Sequence, residues 1–104
     1  MYFFFHFFSV LNSIANGKKY ITSKELKKHN NPNDLWISIL GKVYNVTEWA
    51  KEHPGGDTPL VNLAGQDVTD VFIAFHPGNA WKHLDKLFTG YHLKDYQVSH
   101  ISRD

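Results

Sequence analysis

The chain has 104 residues, 42% of them hydrophobic, which is enough for one domain with its own hydrophobic core. Eleven basic and ten acidic residues give a formal net charge of +1, which does not indicate a nucleic-acid partner. The absence of cysteine excludes disulfides, thiolate nucleophiles and iron–sulfur clusters, whereas seven histidines direct attention to metal or haem chemistry.

Residues 1–17 are interpreted as an aromatic leader. The run Met1–Leu11 (MYFFFHFFSVL) is too short to cross a bilayer as a helix, which needs about 20 apolar residues. It also lacks the basic segment and the cleavage site of a secretory signal. We therefore expect a disordered or loosely docked leader, with a weak contact to a membrane surface as the alternative.

The domain is predicted to span residues 18–94 and to begin with a short strand. Predicted strands lie at 20–22, 35–40, 43–46 and 90–93. Ser23 is expected to cap a helix over 24–29, and residues 30–34 to form a turn. Gly41-Lys42 is predicted as the two-residue turn of a hairpin.

Four more helices are predicted in the second half, and they are expected at 48–52, 59–64, 66–75 and 80–87. Thr47 is expected to cap the first of these, and Thr58 to cap the second with Pro59 in its first turn. Apolar residues recur at helical spacing in the last three. Residues 95–104 are expected to form a polar tail.

The sequence His53-Pro54-Gly55-Gly56 places an imidazole at a rigid corner. Proline fixes its own φ and pushes the residue before it out of the helical region. The two glycines remove both β-carbons, so the backbone can turn sharply or lie against a flat ligand. His76 lies 23 residues further on and is also followed by proline and glycine. Two such corners, separated by apolar helices, predict a metal held from opposite sides.

We expect a cleft with the hairpin as its floor and one histidine on each wall. Haem fits this expectation, because its iron binds imidazole readily and an apolar slot accepts a flat macrocycle. Two axial imidazoles leave no position for oxygen, so the iron would carry single electrons. Ordinary core packing would give the same apolar pattern. The expected cofactor-binding residues are His53, His76, Gly55, Gly56, Leu60, Val61, Phe72, Phe75, Trp81 and Leu84, with the two histidines as metal ligands.

The remaining titratable residues have weaker patterns. The other five histidines are interpreted as surface or fold residues, and His83 is the strongest rival to His76 as a ligand. Five acidic residues could form a rim that steers a basic reductase, namely Glu48, Glu52, Asp57, Asp67 and Asp70. Helix capping and solvated helix faces explain the same residues, and we favour that interpretation.

Residues 18–94 resemble the cytochrome b5 haem-binding domain. The resemblance rests on KKYITSKEL, on LWISILGKVYNVTEW, on HPGG and on the second histidine in AFHPGNAW. It implies an α+β fold, in which a small mixed β-sheet and two helix pairs form a haem cleft, with His53 and His76 as axial ligands. The segment LAGQDVTDVFIAFHPGNAWKHLDKLFTGYHLKDY is more narrowly similar to the b5 domain at the front of plant delta-8 sphingolipid and delta-6 fatty-acid desaturases.

This resemblance implies a one-electron carrier with haem b. Its expected partners are a flavin-dependent NADH reductase and a desaturase or similar lipid-modifying acceptor, and we expect a monomer without a nucleic-acid partner. It would lie on the cytoplasmic side of the endoplasmic reticulum membrane if tethered or fused, and otherwise be soluble in the cytoplasm. The histidine boxes and membrane spans of a desaturase are absent from the sequence, so we expect no desaturation by this chain alone.

Several alternatives remain beside the electron carrier. The chain could be a truncated desaturase without its di-iron catalytic half, or a divergent relative. A module of the membrane steroid-receptor type would hold haem through tyrosine or bind another ligand, and the two histidines argue against it. A zinc site is disfavoured because no three ligands share a helix face or a compact loop.

Overall fold

The computed structural model describes residues 17–53, 58–76 and 78–94. Five strands form one sheet in the order β1-β5-β4-β3-β2. The strands are β1 Tyr20–Thr22, β2 Asn30–Asn31, β3 Asp34–Ile39, β4 Lys42–Asn45 and β5 Phe88–Leu93. β1 and β5 are parallel and the other pairs are antiparallel, so the predicted mixed sheet of an α+β fold is confirmed. The predicted leader lies outside the described residues except for Gly17, as does the predicted tail 95–104.

Short helices connect and cover the strands. The α-helices are α1 Ser23–Lys27, α2 Thr58–Asn62, α3 Thr69–Phe75 and α4 Trp81–Leu84. Helices of the 3-10 type span Trp49–Glu52, Gly78–Ala80 and Asp85–Leu87. The predicted helix 80–87 is therefore divided into an α-helical turn and a 3-10 turn, preceded by another 3-10 turn.

Two predicted caps are wrong because the hydroxyl groups bond elsewhere. Thr22, and not Ser23, caps α1 by accepting a hydrogen bond from the Glu25 backbone N–H at 3.1 Å. The Ser23 hydroxyl instead lies 2.9 Å from Nε2 of His92 on β5. Thr47 Oγ1 accepts from the Leu35 N–H at 2.9 Å, so it joins β3 instead of capping the following 3-10 helix.

The β3–β4 turn lies one residue earlier than predicted. Leu40 and Gly41 have φ values of 48° and 80°, and positive φ at both central residues is typical of a type I′ hairpin turn. Lys42 pairs with Ile39 and belongs to β4. The predicted turn 30–34 also contains two residues of β2, which pair with the start of β3.

The predicted helix 66–75 begins only at Thr69, because the residues before it bond to β3. The Gly65 N–H donates to the Trp36 carbonyl at 2.7 Å. The Ser38 N–H donates to the Gln66 carbonyl at 2.9 Å, and the Val68 N–H returns a bond to the Ser38 carbonyl at 2.8 Å. Residues 65–68, which we call the tie segment, thus extend the hydrogen bonding of the sheet to the start of α3.

Two apolar clusters stabilise the fold on opposite sides of the sheet. Burial of their side chains is the main favourable term in folding. The smaller one joins α1 to the sheet through Ile21, Leu26 and Val43, with Trp36 packed against it. The larger one contains Leu35, Ile37, Ile39, Tyr44, Val46, Ala50, Ala64, Val68, Phe72 and Leu84. Helices α3 and α4 therefore pack on the face of the sheet opposite α1.

His29 forms a clamp between α1 and the β2–β3 hairpin. Its Nε2 lies 2.8 Å from Glu25 Oε2, and its Nδ1 lies 2.8 Å from Asp34 Oδ2. The imidazole stacks on Trp36 with ring centroids 3.5 Å apart. Burial by itself lowers the pKa of His29, but the hydrogen bonds to Asp34 and Glu25 outweigh it and the pKa is raised. The hydrogen bond to His29 in turn lowers the pKa of Glu25.

Gly65→Ala is expected to destabilise the protein more than Gly41→Ala. Both glycines have positive φ, where a side chain costs about 1–2 kcal/mol. A β-carbon at Gly65 would also lie 3.1 Å from Asn30 Cβ and 3.2 Å from the Leu26 carbonyl oxygen, whereas nothing lies within 4 Å at Gly41. Urea unfolding of both variants measures the difference. Equal midpoints would show that the tie segment tolerates the extra atom.

The His29 clamp is expected to make stability depend on pH. The pKa of His29 is raised in the folded state, so the protonated imidazole stabilises the fold fully below pH 6.5, its ordinary pKa. This stabilisation is lost as the pH rises through the pKa that His29 has in the folded protein. The lowered pKa of Glu25 gives stability that is lost as pH falls below 4.5. The free energy of unfolding of the wild type should therefore exceed that of His29→Gln by the largest amount between pH 4.5 and pH 6.5. We expect this difference to be about 0.5–1 kcal/mol, because the two carboxylates are exposed. Unfolding of both proteins at several pH values tests this, and a constant difference would contradict it.

Candidate functional site

An apolar cavity lies between the sheet and helices α2, α3 and α4. It contains about 620 Å³ of empty space, a volume that includes open solvent at its mouth. Ile37 on β3 and Val46 after β4 contribute from the sheet. The other lining residues are Trp49, His53, Pro59, Leu60, Leu63, Val68, Val71, Phe72, His76, Ala80, His83 and Leu84. The cavity therefore brings His53 and His76 together.

The predicted lining divides into residues inside and outside this cavity. Leu60, Phe72 and Leu84 line it. Val61 and Trp81 pack against the apolar core without lining the cavity. Phe75 is 78% exposed, because α3 turns Val71 and Phe72 toward the cavity and ends at Phe75. Gly55 and Gly56 lie outside the described residues.

His53 follows the 3-10 helix Trp49–Glu52 and ends it. Its φ of −63° and ψ of 127° are extended, as expected for a residue before proline. Its backbone N–H still donates to the Ala50 carbonyl at 3.3 Å, which anchors the corner to the buried Ala50. The imidazole meets the Trp49 ring edge-on at a centroid distance of 5.1 Å. The helix and the indole thus position the ring at the cavity.

His76 occupies the equivalent place at the end of α3. Its backbone N–H donates to the Phe72 carbonyl at 3.0 Å, and its Nδ1 lies 3.2 Å from the same oxygen. A carbonyl oxygen only accepts, so Nδ1 carries the proton and Nε2 keeps a lone pair. The imidazole stacks on the Phe72 ring with centroids 4.5 Å apart and planes 9° apart. This hydrogen bond and this stack fix the tautomer and the orientation that a metal-binding imidazole needs.

The two imidazoles lie at a separation that fits one metal ion between them. Their ring centroids are 6.0 Å apart, with an interplanar angle of 45°. Imidazole nitrogens bind metal ions such as zinc at about 2.0–2.1 Å. Two such nitrogen–metal distances, together with the distance from each nitrogen to the centroid of its own ring, add up to roughly the observed separation. Among the described residues, no group of three or more histidine and acidic side chains could hold a metal ion. Two nitrogens in an apolar cavity suit a metal whose other ligands come from a macrocycle, such as haem iron.

Sequence reasoning missed several lining residues. His83 was interpreted as a surface or fold histidine, yet it lines the cavity from α4 while its side chain stays exposed. Trp49 also lines the cavity and contacts His53. Ile37 and Val46 were assigned only to predicted strands. The spacing of two between Leu35, Ile37 and Ile39 could have placed Ile37 on the face of the large core, but no local signal distinguishes the cavity from the core.

Two members of the proposed acidic rim are paired with lysines. Glu48 lies 3.2 Å from Lys51 Nζ, and Asp67 lies 2.9 Å from Lys94 Nζ. Asp67 also accepts from the Thr69 backbone N–H at 3.0 Å. Burial by itself raises the pKa of Asp67, but the bonds to Thr69 and Lys94 outweigh it and lower the pKa. Neither carboxylate is a side-chain helix cap, and both instead form ion pairs with lysines.

Comparison with known proteins identifies the family. The model of the cytochrome b5-like haem/steroid-binding domain matches residues 22–93. The chain belongs to this family. The b5 domain is 33% identical to the cytochrome b5 of Ostreococcus tauri virus 2, with a TM-score of 0.64 over 68% of this chain and 81% of that one. The predicted fold is thereby confirmed, and so is the cofactor, since haem is bound by this family.

The b5 domain is also similar to part of longer plant proteins. It is 94% identical to the Delta(8)-fatty-acid desaturase of Helianthus annuus over 91% of this chain. It is 71% identical to Delta(8)-fatty-acid desaturase 1 of Arabidopsis thaliana over 84% of this chain. The alignments cover 21% and 19% of these relatives, so the chain spans about a fifth of their length. The predicted similarity to the b5 domain of plant desaturases is confirmed.

The described part of the b5 domain contains no helix that is long and apolar enough to cross a membrane.

Phe72→Ala is expected to loosen haem binding far more than Phe75→Ala. Phe72 is buried, stacks on His76 and meets Trp81 edge-on at 4.7 Å, so its loss costs about 3 kcal/mol and frees the His76 ring. Phe75 is exposed, and its replacement should change stability by less than about 0.5 kcal/mol. Haem loss to a haem-scavenging apoprotein, followed by absorbance, measures both effects. Equal rates in the two variants would contradict the inward position of Phe72.

Proposed function

We propose that this domain is a one-electron carrier with haem b held by His53 and His76. The observation that carries the proposal is the pair of imidazoles in one apolar cavity, with ring centroids 6.0 Å apart. Bound haem would supply reversible one-electron chemistry. With His53 and His76 both holding the iron, the site would leave no vacancy where oxygen could bind.

The residues around the histidines would stabilise this closed site. The bond between His76 Nδ1–H and the Phe72 carbonyl holds Nε2 as the ligand atom and increases its basicity. The Phe72 stack and the Trp49 edge contact restrict rotation of the two rings. The apolar side chains of Leu60 and Leu84 line the cavity and would surround the bound haem with an environment that disfavours water. A ligand set that stays the same in both oxidation states favours fast electron transfer over chemistry at the iron.

The proposed donor is a flavin-dependent NADH reductase, and the proposed acceptor is the catalytic part of a fatty-acid or sphingolipid desaturase. The acceptor is supported by the two desaturases from Helianthus annuus and Arabidopsis thaliana, which contain a segment similar to this domain. Electron delivery would then take place on the cytoplasmic side of the endoplasmic reticulum membrane. A fragment of a desaturase without its catalytic half is the second candidate, since the chain covers only 21% of the Helianthus annuus protein.

The absorption spectrum of the haem-loaded chain tests the proposal. Two imidazole ligands should give a low-spin spectrum with split visible bands after dithionite reduction, unchanged by carbon monoxide. His53→Ala and His76→Ala should each abolish this six-coordinate spectrum, because one axial ligand is lost. His83→Ala is the matched control, since it removes a histidine from the same cavity and should leave the low-spin spectrum intact.

Two results would count against the proposal. Carbon monoxide binding by the wild-type protein would mean an open axial position, which favours a binding module over an electron carrier. Loss of the low-spin spectrum in His83→Ala would show that His83 is a ligand. Reduction of the haem by NADH and a microsomal flavin reductase, followed at the reduced visible bands, tests the donor separately.

A further inference from the structure

The positive and negative charges of the domain are separated along the chain. Residues 17–42 contain six lysines and two acidic residues, whereas residues 43–94 contain four lysines and six acidic residues. Neither range contains arginine, so all of this positive charge comes from lysine. The formal net charge of +1 for the whole chain therefore combines a basic part and an acidic part.

Helix α1 carries its lysines on the side away from the core. Leu26 is 1% exposed and packs in the small apolar cluster under this helix. An α-helix turns by about 100° for each residue, so Lys24 and Lys28, two positions before and after Leu26, lie on the opposite side of the helix. Lys27 lies beside them, and all three lysines are exposed. The outer side of α1 is therefore positively charged.

Lys19 adds a fourth positive charge on this side of the sheet. Its Nζ lies 5.9 Å from the centroid of the Trp36 ring. Trp36 packs against the same apolar cluster as Leu26, so Lys19 lies on the side of the sheet that α1 covers. We call these four exposed residues the basic face, namely Lys19, Lys24, Lys27 and Lys28.

The two acidic residues of this region already have partners. Glu25 lies 2.8 Å from Nε2 of His29 and 3.5 Å from Nζ of Lys28. Asp34 lies 2.8 Å from Nδ1 of the same imidazole. Because both carboxylates are bonded to the His29 clamp and are outnumbered by lysines, the region keeps a net positive charge.

We propose that the basic face binds the surface of a membrane that contains anionic phospholipids. Clusters of roughly four to eight lysines on an amphipathic helix are attracted to the negative potential of such a surface, and each lysine close to it raises the binding constant about fivefold. Helix α1 packs on the face of the sheet opposite α3 and α4, so a domain bound in this way keeps its haem cavity uncovered. The proposal does not depend on the electron-carrier function, because it uses none of the haem-binding residues.

The chemistry of lysine favours a lipid surface over a nucleic acid or an acidic protein. Arginine forms bidentate hydrogen bonds with phosphate or carboxylate groups at defined positions, whereas lysine is a hydrated point charge on a flexible stem. A fluid lipid surface offers a diffuse negative potential and no fixed arrangement of anions. A face built from lysine alone therefore matches the membrane surface best.

Cosedimentation of the whole haem-loaded chain with lipid vesicles tests the proposal. Vesicles of phosphatidylcholine alone are compared with vesicles of phosphatidylcholine and phosphatidylserine, at low and at high salt. The basic-face triple variant replaces Lys24, Lys27 and Lys28 by glutamine, which keeps the helix propensity and removes the charge. The control triple variant replaces three exposed lysines outside the basic face by glutamine and changes the net charge equally, namely Lys51, Lys82 and Lys86.

The wild-type chain should bind the vesicles that contain phosphatidylserine and leave those of phosphatidylcholine alone unbound. The basic-face triple variant should bind about a hundredfold more weakly, since three factors of about five are lost, and the control triple variant should stay within about threefold of the wild type. Lys24→Gln and Lys27→Gln, which keep the pair between Lys28 and Glu25, should each lose about fivefold. Far-UV circular dichroism and the haem spectrum show that each variant is folded.

Several outcomes would overturn the proposal. Equal binding to both kinds of vesicle, or binding that persists at about 1 M salt, where the screening length is only about 3 Å, would show an apolar contact and not an electrostatic one. An equal loss in the control triple variant would show dependence on net charge and not on the basic face. Tighter binding to polyglutamate or to duplex RNA than to the vesicles would assign the face to an acidic protein or a nucleic acid. Absence of binding by the wild type would leave the face without a lipid partner.

Discussion

The fold depends on the hydrogen bonds between the tie segment 65–68 and strand β3. Through them α3, which carries His76 at its end, is attached to the sheet at a fixed register and not only by side-chain packing. The bond from the Leu40 N–H to Thr69 Oγ1 at 2.9 Å adds a further attachment at the first turn of the helix. Because the bond lengths and angles of a sheet leave little freedom, the direction of α3 and hence the position of His76 are largely set by β3.

Ser38 connects this attachment to the other side of the sheet. Its backbone bonds to the tie segment, while its hydroxyl lies 2.8 Å from Nδ1 of His92. Nε2 of His92 lies 2.9 Å from the hydroxyl of Ser23 at the start of α1. A buried polar group without a partner costs about 1–3 kcal/mol, so this chain of bonds strongly favours one arrangement of α1, β5 and β3. The cavity and the small core under α1 are thus parts of one connected structure.

Sequence reasoning succeeded where the controlling interactions are local. The residue before proline is restricted by its neighbour, so the extended backbone of His53 could be predicted, and runs rich in β-forming residues located β3 and β4. It failed where a side chain bonds to a distant part of the chain. Ser23 bonds to a histidine 69 positions away, and Thr47 bonds to a strand 12 positions away. Each hydroxyl matches the pattern of a cap, and nothing in the adjacent residues shows the competing partner.

Helix α3 shows a second limit, because helical spacing of apolar residues does not say what each face contacts. Phe72 and Phe75 fit the same periodic pattern, yet one is buried against His76 and the other is exposed. A conflict between pattern and burial is expected at functional surfaces, where a partner completes the packing. Helical spacing alone therefore could not separate the residue that supports the His76 ring from the one that stays exposed at the end of the same helix.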